Sequence, residues 1–486
     1  MGIVRNQSIK NSISFYIGMT FGAINTVIIY PNVFKDNPEY FGLIQILLAY
    51  AIVVSAFTTL GIPKTFVRFF PAIKEKGQLY FLSLIIPLLG FFFASISYFL
   101  FKEQLFAFLN PSNLLKDNFF YIILLVFFIG FYDVLTAISR SFLSAVTPIV
   151  INEVFLKVYT MSVLLLHWFG YVDFTTFLQI YLFGYFLKFA ILLLIQFFNN
   201  RFVFSFSVKD LHLKEMLSYG LYVLVGGTSM IIVSRLDMIM LGSLLNLQEV
   251  AYYTVAFFIG NAIMVPAKSI TAISVPLIAK AWENQDLDEI HILYRKSSIN
   301  QLIIGGVFFL CIWLNIDQVF LLLPEKFSAG KWVVFYIGLS QLFNMASGLN
   351  GQIILNSKYY RYDLFTSVFL VFVTITTNFF LILNYGINGA AMATAISILL
   401  FNLIRLILIK VKMNMHPFSL QTFYTILLLF GLYFLLNFLP NSSCSFLDII
   451  WKSLVAFIIF IPTVFYLNLS EDINKVINDV RENFRR

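Results

Sequence analysis

The sequence predicts an all-α integral membrane protein of about 14 transmembrane helices, arranged as two six-helix lobes related by a parallel pseudo-two-fold repeat, with two more helices at the C-terminal end. Three observations predict it. Of the 486 residues, 60% are hydrophobic and only 12% charged, with a mean hydropathy of +0.88; soluble chains carry about a quarter of their residues as charges. The apolar residues fall into runs of about 20, the length that crosses a hydrocarbon core roughly 30 Å thick. Lys and Arg collect in every second connection between those runs, the asymmetry that orients membrane helices. The net charge of +8 is therefore a topology signal, and no nucleic-acid partner is expected.

Taken in order, the first six runs lie near 12–33, 40–62, 78–100, 118–141, 146–169 and 176–198. A polar stretch from Asn199 to Glu215, with Arg201, Lys209 and Lys214, separates them from six more near 218–243, 250–277, 298–322, 332–356, 361–384 and 388–410. Two final runs lie near 419–439 and 447–468. One side of the membrane collects most of the basic residues, among them Arg5, Lys10, Lys64, Arg68, Lys280, Lys410 and Lys412. The other has only Lys35, Lys102, Lys116, Lys326 and Lys331, so both termini are expected in the cytoplasm. The first run is too long for the apolar region of a signal peptide and reads as a retained span. Outer loops are short, the longest running from Phe101 to Asp117. After Leu469, Ile473, Val476, Ile477, Val480 and Phe484 recur at helical spacing, the pattern of an amphipathic helix lying on the inner leaflet. Cys311 and Cys444 are too few and too isolated for a disulfide framework or a metal site.

An offset of about 213 residues superimposes the two sets of six. Pro63 then meets Pro276, Gly170 meets Gly386, and Leu143-Ser144 meets Leu355-Asn356. The expected domains are an N-terminal lobe (1–198), a C-terminal lobe (216–410), two additional helices (417–469) and a cytoplasmic tail (470–486). Parallel repeats of this kind occur in transporters that rock about a central site, which puts spans one, two, seven and eight beside the cavity and marks Asn25 in the first.

Charges inside apolar runs are the candidate functional residues, because each costs about 2.5–3.5 kcal/mol on insertion scales unless it faces water, a partner or the interface. Lys157 and Lys188 fall near the midplane, Lys268 in the inner half and Arg235 toward the outer third. Cations along such a path imply an anionic substrate. For each there is a plainer reading. Glu153 and Lys157, four apart, neutralise each other if they share a helix face; Arg235 reaches the outer headgroups if it snorkels; Arg140 and Arg405, near cytoplasmic span ends, are read as snorkelling. Asp133 and Asp237 are candidates for a coupling proton or sodium ion, with pairing to Arg140 or Arg235 as the alternative. Pro266 and Gly226-Gly227 are candidate hinges, and Gly389, Ala390, Ala391, Ala393 and Ala395 read as a packing face. No Walker A sequence is present, the four His residues show no metal spacing, and no cofactor is expected beyond a coupling Na+ or H+.

Four segments in order carry a family resemblance: Ile9-Lys10-Asn11-Ser12, TLGIPKTFVRFF ending the second span, RLDMIMLGSLLNLQEVAYYTVA across spans seven and eight, and GINGAAMATAIS opening the twelfth. With them the chain resembles the MOP flippase superfamily and, within it, the Wzx-type flippases of O-antigen and capsule synthesis. The resemblance implies a bacterial inner-membrane flippase, not an enzyme, that turns undecaprenyl-diphosphate-linked oligosaccharide from the cytoplasmic to the periplasmic leaflet. It also implies a basic cavity, to which Arg235, Asp237 and Lys268 contribute, and as partners the lipid-linked oligosaccharide, membrane lipids, a polysaccharide polymerase and a chain-length regulator. Competing readings are a MATE-type multidrug exporter, whose cavity is acidic, and a lipid II flippase, whose Arg-rich first two spans are not matched here. A membrane glycosyltransferase or polymerase is the alternative of another class, with larger loops than these. The second-to-third loop lacks the Asp-Arg-x-Gly-Arg pattern of major facilitator transporters.

Overall fold

A computed structural model describes residues 2–73, 76–199, 213–440 and 444–483. Among them every regular element is a helix. Lys74, Arg201, Lys209 and Phe484 lie outside the described residues. Among the described residues the helices long and apolar enough to cross a membrane number 12, or 13 if one bent pair is a single span. The first nine are α1 (Lys10–Val33), α2 (Pro38–Thr58), α3 (Lys76–Leu109), α4 (Phe120–Ser141), α5 (Val146–Trp168), α6 (Phe174–Phe198), α7 (Leu213–Leu244), α8 (Leu247–Lys268) and α9 (Leu287–Leu314). The bent pair, α10, joins Glu325–Ala346 to Asn350–Asn356 at 48°. Then follow α11 (Tyr360–Met413), α12 (Leu420–Asn437) and α13 (Ser445–Tyr466), and the tail helix α14 (Glu471–Asn483).

The 54 residues of α11 would span about 81 Å if straight, far more than one bilayer. They do not run straight. Gly386 has φ 58° and ψ −135°, a conformation that only glycine enters at low cost, and it divides the helix into arms 360–385 and 387–413. A Cβ at Gly389 would strike the Leu381 carbonyl oxygen, so the second arm turns back closely on the first. Ala390, Ala391 and Ala393 beside it are fully buried, as the packing-face reading requires. Gly170, the expected counterpart of Gly386, also has positive φ, at 77°.

By its contacts the chain forms two compact units, Met1–Thr254 and Val255–Arg486. In the first, α4 is enclosed: Val134 and Ile138 are fully buried in a cluster with Phe66, Tyr80, Leu192 and Met216. The sequence assigns α7 to the lobe 216–410; its N-terminal end packs against the chain following α2. There Gly61 meets the Gly220 backbone and the Arg68 guanidinium lies 4.2 Å from the Tyr219 ring. Gly226-Gly227 leave α7 unbroken.

In the second unit α9 is the centre. Its Ile303, Val307 and Leu310 meet Leu432 and Leu436 of α12 and Phe460 and Val464 of α13. The helix begins earlier than the apolar run near 298. Asp286 caps it by accepting from the Glu289 amide at 2.9 Å, and Ile290 and Tyr294 are fully buried, so one buried face continues through a polar-looking stretch. The tail helix is pinned to α9: Lys296 lies 3.1 Å from Glu471 and 3.6 Å from Asp472, and Asn300 donates to Asp472 at 2.8 Å. Ile473 packs against the α9–α12–α13 cluster while Val476 stays exposed; the Val480 side chain is outside what is described.

Candidate functional site

In the first unit the structure brings Asn25, Lys157, Lys188 and Asp133 into one region. Two π-helical turns make it, Ile24–Ile29 in α1 and Val150–Phe155 in α5, each holding one residue more than a regular turn. Such bulges are rare and concentrate at functional sites. The helices touch because Gly18 faces the Glu153 backbone, where a Cβ would collide with the carbonyl oxygen, and Gly22, four residues on, faces the Lys157 side chain. Asn25 is buried in its π turn and donates from Nδ2 to the Lys157 carbonyl at 2.8 Å, leaving its own Oδ1 without a hydrogen bond.

The plainer reading of Lys157 is the one the structure bears out: its Nζ lies 2.7 Å from Glu153 Oε2. The other Glu153 oxygen accepts from Asn152 Nδ2 at 2.9 Å, and Asn152 Oδ1 accepts from Lys188 Nζ at 3.1 Å. Lys188 sits on the inward stripe of α6 with Phe177, Tyr181, Tyr185, Leu192 and Gln196, the i+3/i+4 spacing of one helix face. It is 5% exposed. Its ammonium lies 4.4 Å from the Tyr132 ring centre and 5.0 Å from that of Tyr185, a cation–π box that replaces part of its hydration. Asp133 and Glu153 are the carboxylates whose charge acts on it. The formal charges of Lys157, Lys188, Glu153 and Asp133 sum to zero, so the group is a neutral polar network.

Arg235 and Asp237 do not pair with each other. Two residues apart on α7, their side chains diverge: Asp237 is buried and accepts from the Tyr253 hydroxyl, whereas Arg235 lies toward Tyr185 with its Nε lacking an acceptor.

In the second unit Lys268 lines a cavity of about 500 Å³ together with Arg405. The 3-10 turn Ala262–Met264 interrupts the α-helical hydrogen bonding just before Pro266. Arg405 corrects the snorkelling expectation. Its side chain is 14% exposed, ion-paired with Asp363, and stacked 3.8 Å from the Phe401 ring centre. The half-buried carboxylate of Asp363 at the start of α11 draws the guanidinium inward rather than to the interface. Arg140 is exposed. Around the cavity runs an amide network missed by a reading fixed on charges: Asn350 donates to Asn402 at 2.8 Å, Asn402 to Asn344 at 3.1 Å, and Gln341 to Asn261 at 2.8 Å. The available signal was several Asn and Gln residues recurring in otherwise apolar spans. Among the described residues no group of three His, Cys, Asp or Glu side chains is placed to hold a metal ion.

A polytopic helical bundle with charges and amides sunk in apolar spans is the architecture of a membrane transport protein. The profile of the polysaccharide biosynthesis proteins matches residues 7–282, more than half of the chain. The chain belongs to that family, and its fold is that of the MOP flippase superfamily. It is similar to the lipid II flippase MurJ in an inward closed conformation, with a TM-score of 0.74 at 15% identity over 95% of this chain and 99% of that one. An inward-facing multidrug resistance MATE transporter of the MOP superfamily matches with a TM-score of 0.63 at 15% identity over 84% and 98%. A mutant of the Vibrio cholerae MATE transporter VcmN matches with 0.52 at 12% identity over 83% and 94%. No curated protein sequence matches the chain.

Proposed function

We propose that the protein is a Wzx-type flippase, turning undecaprenyl-diphosphate-linked oligosaccharide from the cytoplasmic to the periplasmic leaflet of a bacterial inner membrane by alternating access. The observation that carries this reading is the family match over residues 7–282. The amide-lined cavity of the second unit supports it, because a cationic drug would be repelled by Lys268, whereas the charge of Arg405 is compensated by Asp363. On this reading the two arms of α11 are separate crossings, the membrane is crossed 14 times by the count in which α10 is also one span, and both termini are cytoplasmic. Asp133 and Asp237 remain the coupling candidates for H+ or Na+, and a polymerase and chain-length regulator the downstream partners.

The purified protein in liposomes should move a fluorescent lipid-diphosphate glycan between leaflets and leave ethidium where it is. Transport of ethidium without glycan movement would replace the proposal with the drug-exporter reading. Movement of lipid II in preference to other lipid-linked glycans would replace it with the peptidoglycan-precursor reading, which the fold shared with MurJ supports.

A further inference from the structure

Resting on the flippase reading, we infer that the tail helix α14 is a regulatory strap: by gripping one turn of α9 it restrains the break in α10, and its release frees that break to move. The turn is residues 296–301, and it is held from two sides. Lys296 and Asn300, four apart on the helix, share one face, while Ser297, Ser298 and Gln301 point away from it. The first face belongs to the strap. Lys296 lies 3.1 Å from Glu471 and 3.6 Å from Asp472. The Asn300 amide is used at both ends, its Nδ2 donating to Asp472 at 2.8 Å and its Oδ1 accepting from the Ser470 hydroxyl. The other face seats the α10 break. Ser298 donates to the Ala346 carbonyl, and Gly348, at φ 62°, sits so close that a Cβ there would lie 3.1 Å from Ser297 Oγ. Glycine is conformationally permissive, so the 48° bend is fixed by what packs on it. Gln301, Gly348, Leu349 and Asn350 all line the cavity of the second unit, and a shift of this turn therefore reshapes that space.

Burial divides the strap into a fixed heel and a loose clasp. In the heel, Leu469 and Ser470 are 2% and 3% exposed, Ile473 packs against the α9–α12–α13 cluster, and Ser470 Oγ caps the helix by accepting from the Ile473 amide at 3.2 Å. The clasp is open to water: Lys296, Glu471 and Asp472 are 42%, 80% and 49% exposed. Ion pairs so exposed are weak and screened by salt, poor as structural ties and suited to a contact that is made and broken. Past Asn474, Lys475, Val476, Asp479 and Arg481 are exposed, and among the described residues the polar ties of the strap to α9 come from Ser470, Glu471 and Asp472.

Hydrogen exchange of the full-length protein in detergent, read by mass spectrometry over residues 346–350, tests the strap. Lys296→Glu sets like charges on both sides of the clasp and should speed exchange there about threefold or more, whereas Lys296→Glu/Glu471→Lys/Asp472→Lys restores opposite charges and should return the parent rate. In the parent, raising the salt from about 0.01 M to about 1 M should speed the same exchange by screening the pairs, and in Lys296→Met salt should change nothing there. Exchange over 346–350 that ignores Lys296→Glu while the α14 amides exchange faster overturns the strap, because the clasp has then opened without effect. Equal acceleration throughout α9, α12 and α13 also overturns it, by making the clasp a tie for the whole unit. If Lys296→Glu does not fold, the parent alone decides: no response to salt over 346–350 overturns the strap. In liposomes, glycan movement should rise about twofold or more in Lys296→Glu, and an unchanged or lower rate overturns the control of transport. A parent whose exchange follows the clasp but which flips no glycan refutes the flippase reading alone. One that flips glycan while its exchange ignores the clasp refutes the strap alone.

Discussion

Removing Asp363 should destabilise the protein far more than removing Asp363 and Arg405 together. The two side chains are 15% and 14% exposed, so water screens them little. Breaking such a pair by deleting one partner leaves a buried charge and costs about 3–5 kcal/mol. With that residual exposure the lower end applies, about 3 kcal/mol for Asp363→Ala. Arg405→Ala forfeits in addition the stacking on Phe401, about 1 kcal/mol. The double replacement Asp363→Leu/Arg405→Met fills similar volume without charge and should lie within about 1 kcal/mol of the parent, because buried ion pairs rarely outperform well-packed apolar residues. The single losses sum to about 7 kcal/mol against about 1 kcal/mol for the double, so the coupling between the positions is about 6 kcal/mol, measurable by a double-mutant cycle that uses Asp363→Leu and Arg405→Met as the single variants, by equilibrium unfolding in mixed micelles. The pair ties the beginning of one α11 arm to the end of the other. Single variants that each lose less than 0.5 kcal/mol, or additive losses in the double variant, would refute this account of Arg405.

Three further outcomes follow from the geometry. Gly18→Val should force α1 away from α5, costing about 1–3 kcal/mol for the overpacking, and cysteine cross-linking between the two helices should fall. Lys188→Ala should reduce surface polysaccharide without reducing the amount of protein in the membrane; unchanged polysaccharide would remove Lys188 from the transport cycle. At the N-terminal end of α6, the Asp173 side chain accepts from the Thr176 amide at 3.4 Å, and its hydrogen bonding with Thr176 holds the carboxyl below the ordinary aspartate value. A depressed carboxylate stabilises the folded chain above its unfolded pKa and loses that contribution as the pH falls through the folded value. The protection factor of the Thr176 amide, its exchange rate relative to the intrinsic rate at the same pH, should thus be highest at neutral pH, lower in Asp173→Ala, and lower in the parent once the pH falls through the depressed carboxyl value.

Most of the helices were legible because a span is long and its composition extreme. α9 shows where that criterion weakens: LDEIHILYRKSS looks like a loop by hydropathy, and only the buried positions Ile290 and Tyr294 reveal a face continuing through it. The charges were legible as residues but not as pairs. Glu153 and Lys157 are four apart and their bond could be anticipated from helix geometry. Arg405 could not be placed, because Asp363 lies 42 residues away across a reversal at Gly386. Gly18 and Gly22 carried a readable small-xxx-small spacing that a search for charged residues passes over. The amides around Lys268 went unread for the same reason: neutral polar side chains barely alter hydropathy, and only their convergence gives them meaning.

The π turns of α1 and α5 supply each helix with a spare peptide. Moving such a turn along its helix by one position rotates the segment it passes by about 100° while the hydrogen-bonded ends stay in register. In α5 that rotation would carry the Glu153–Lys157 pair from one neighbour to another without melting the span, a stepwise gearing in which a small slip of backbone becomes a large turn of charge.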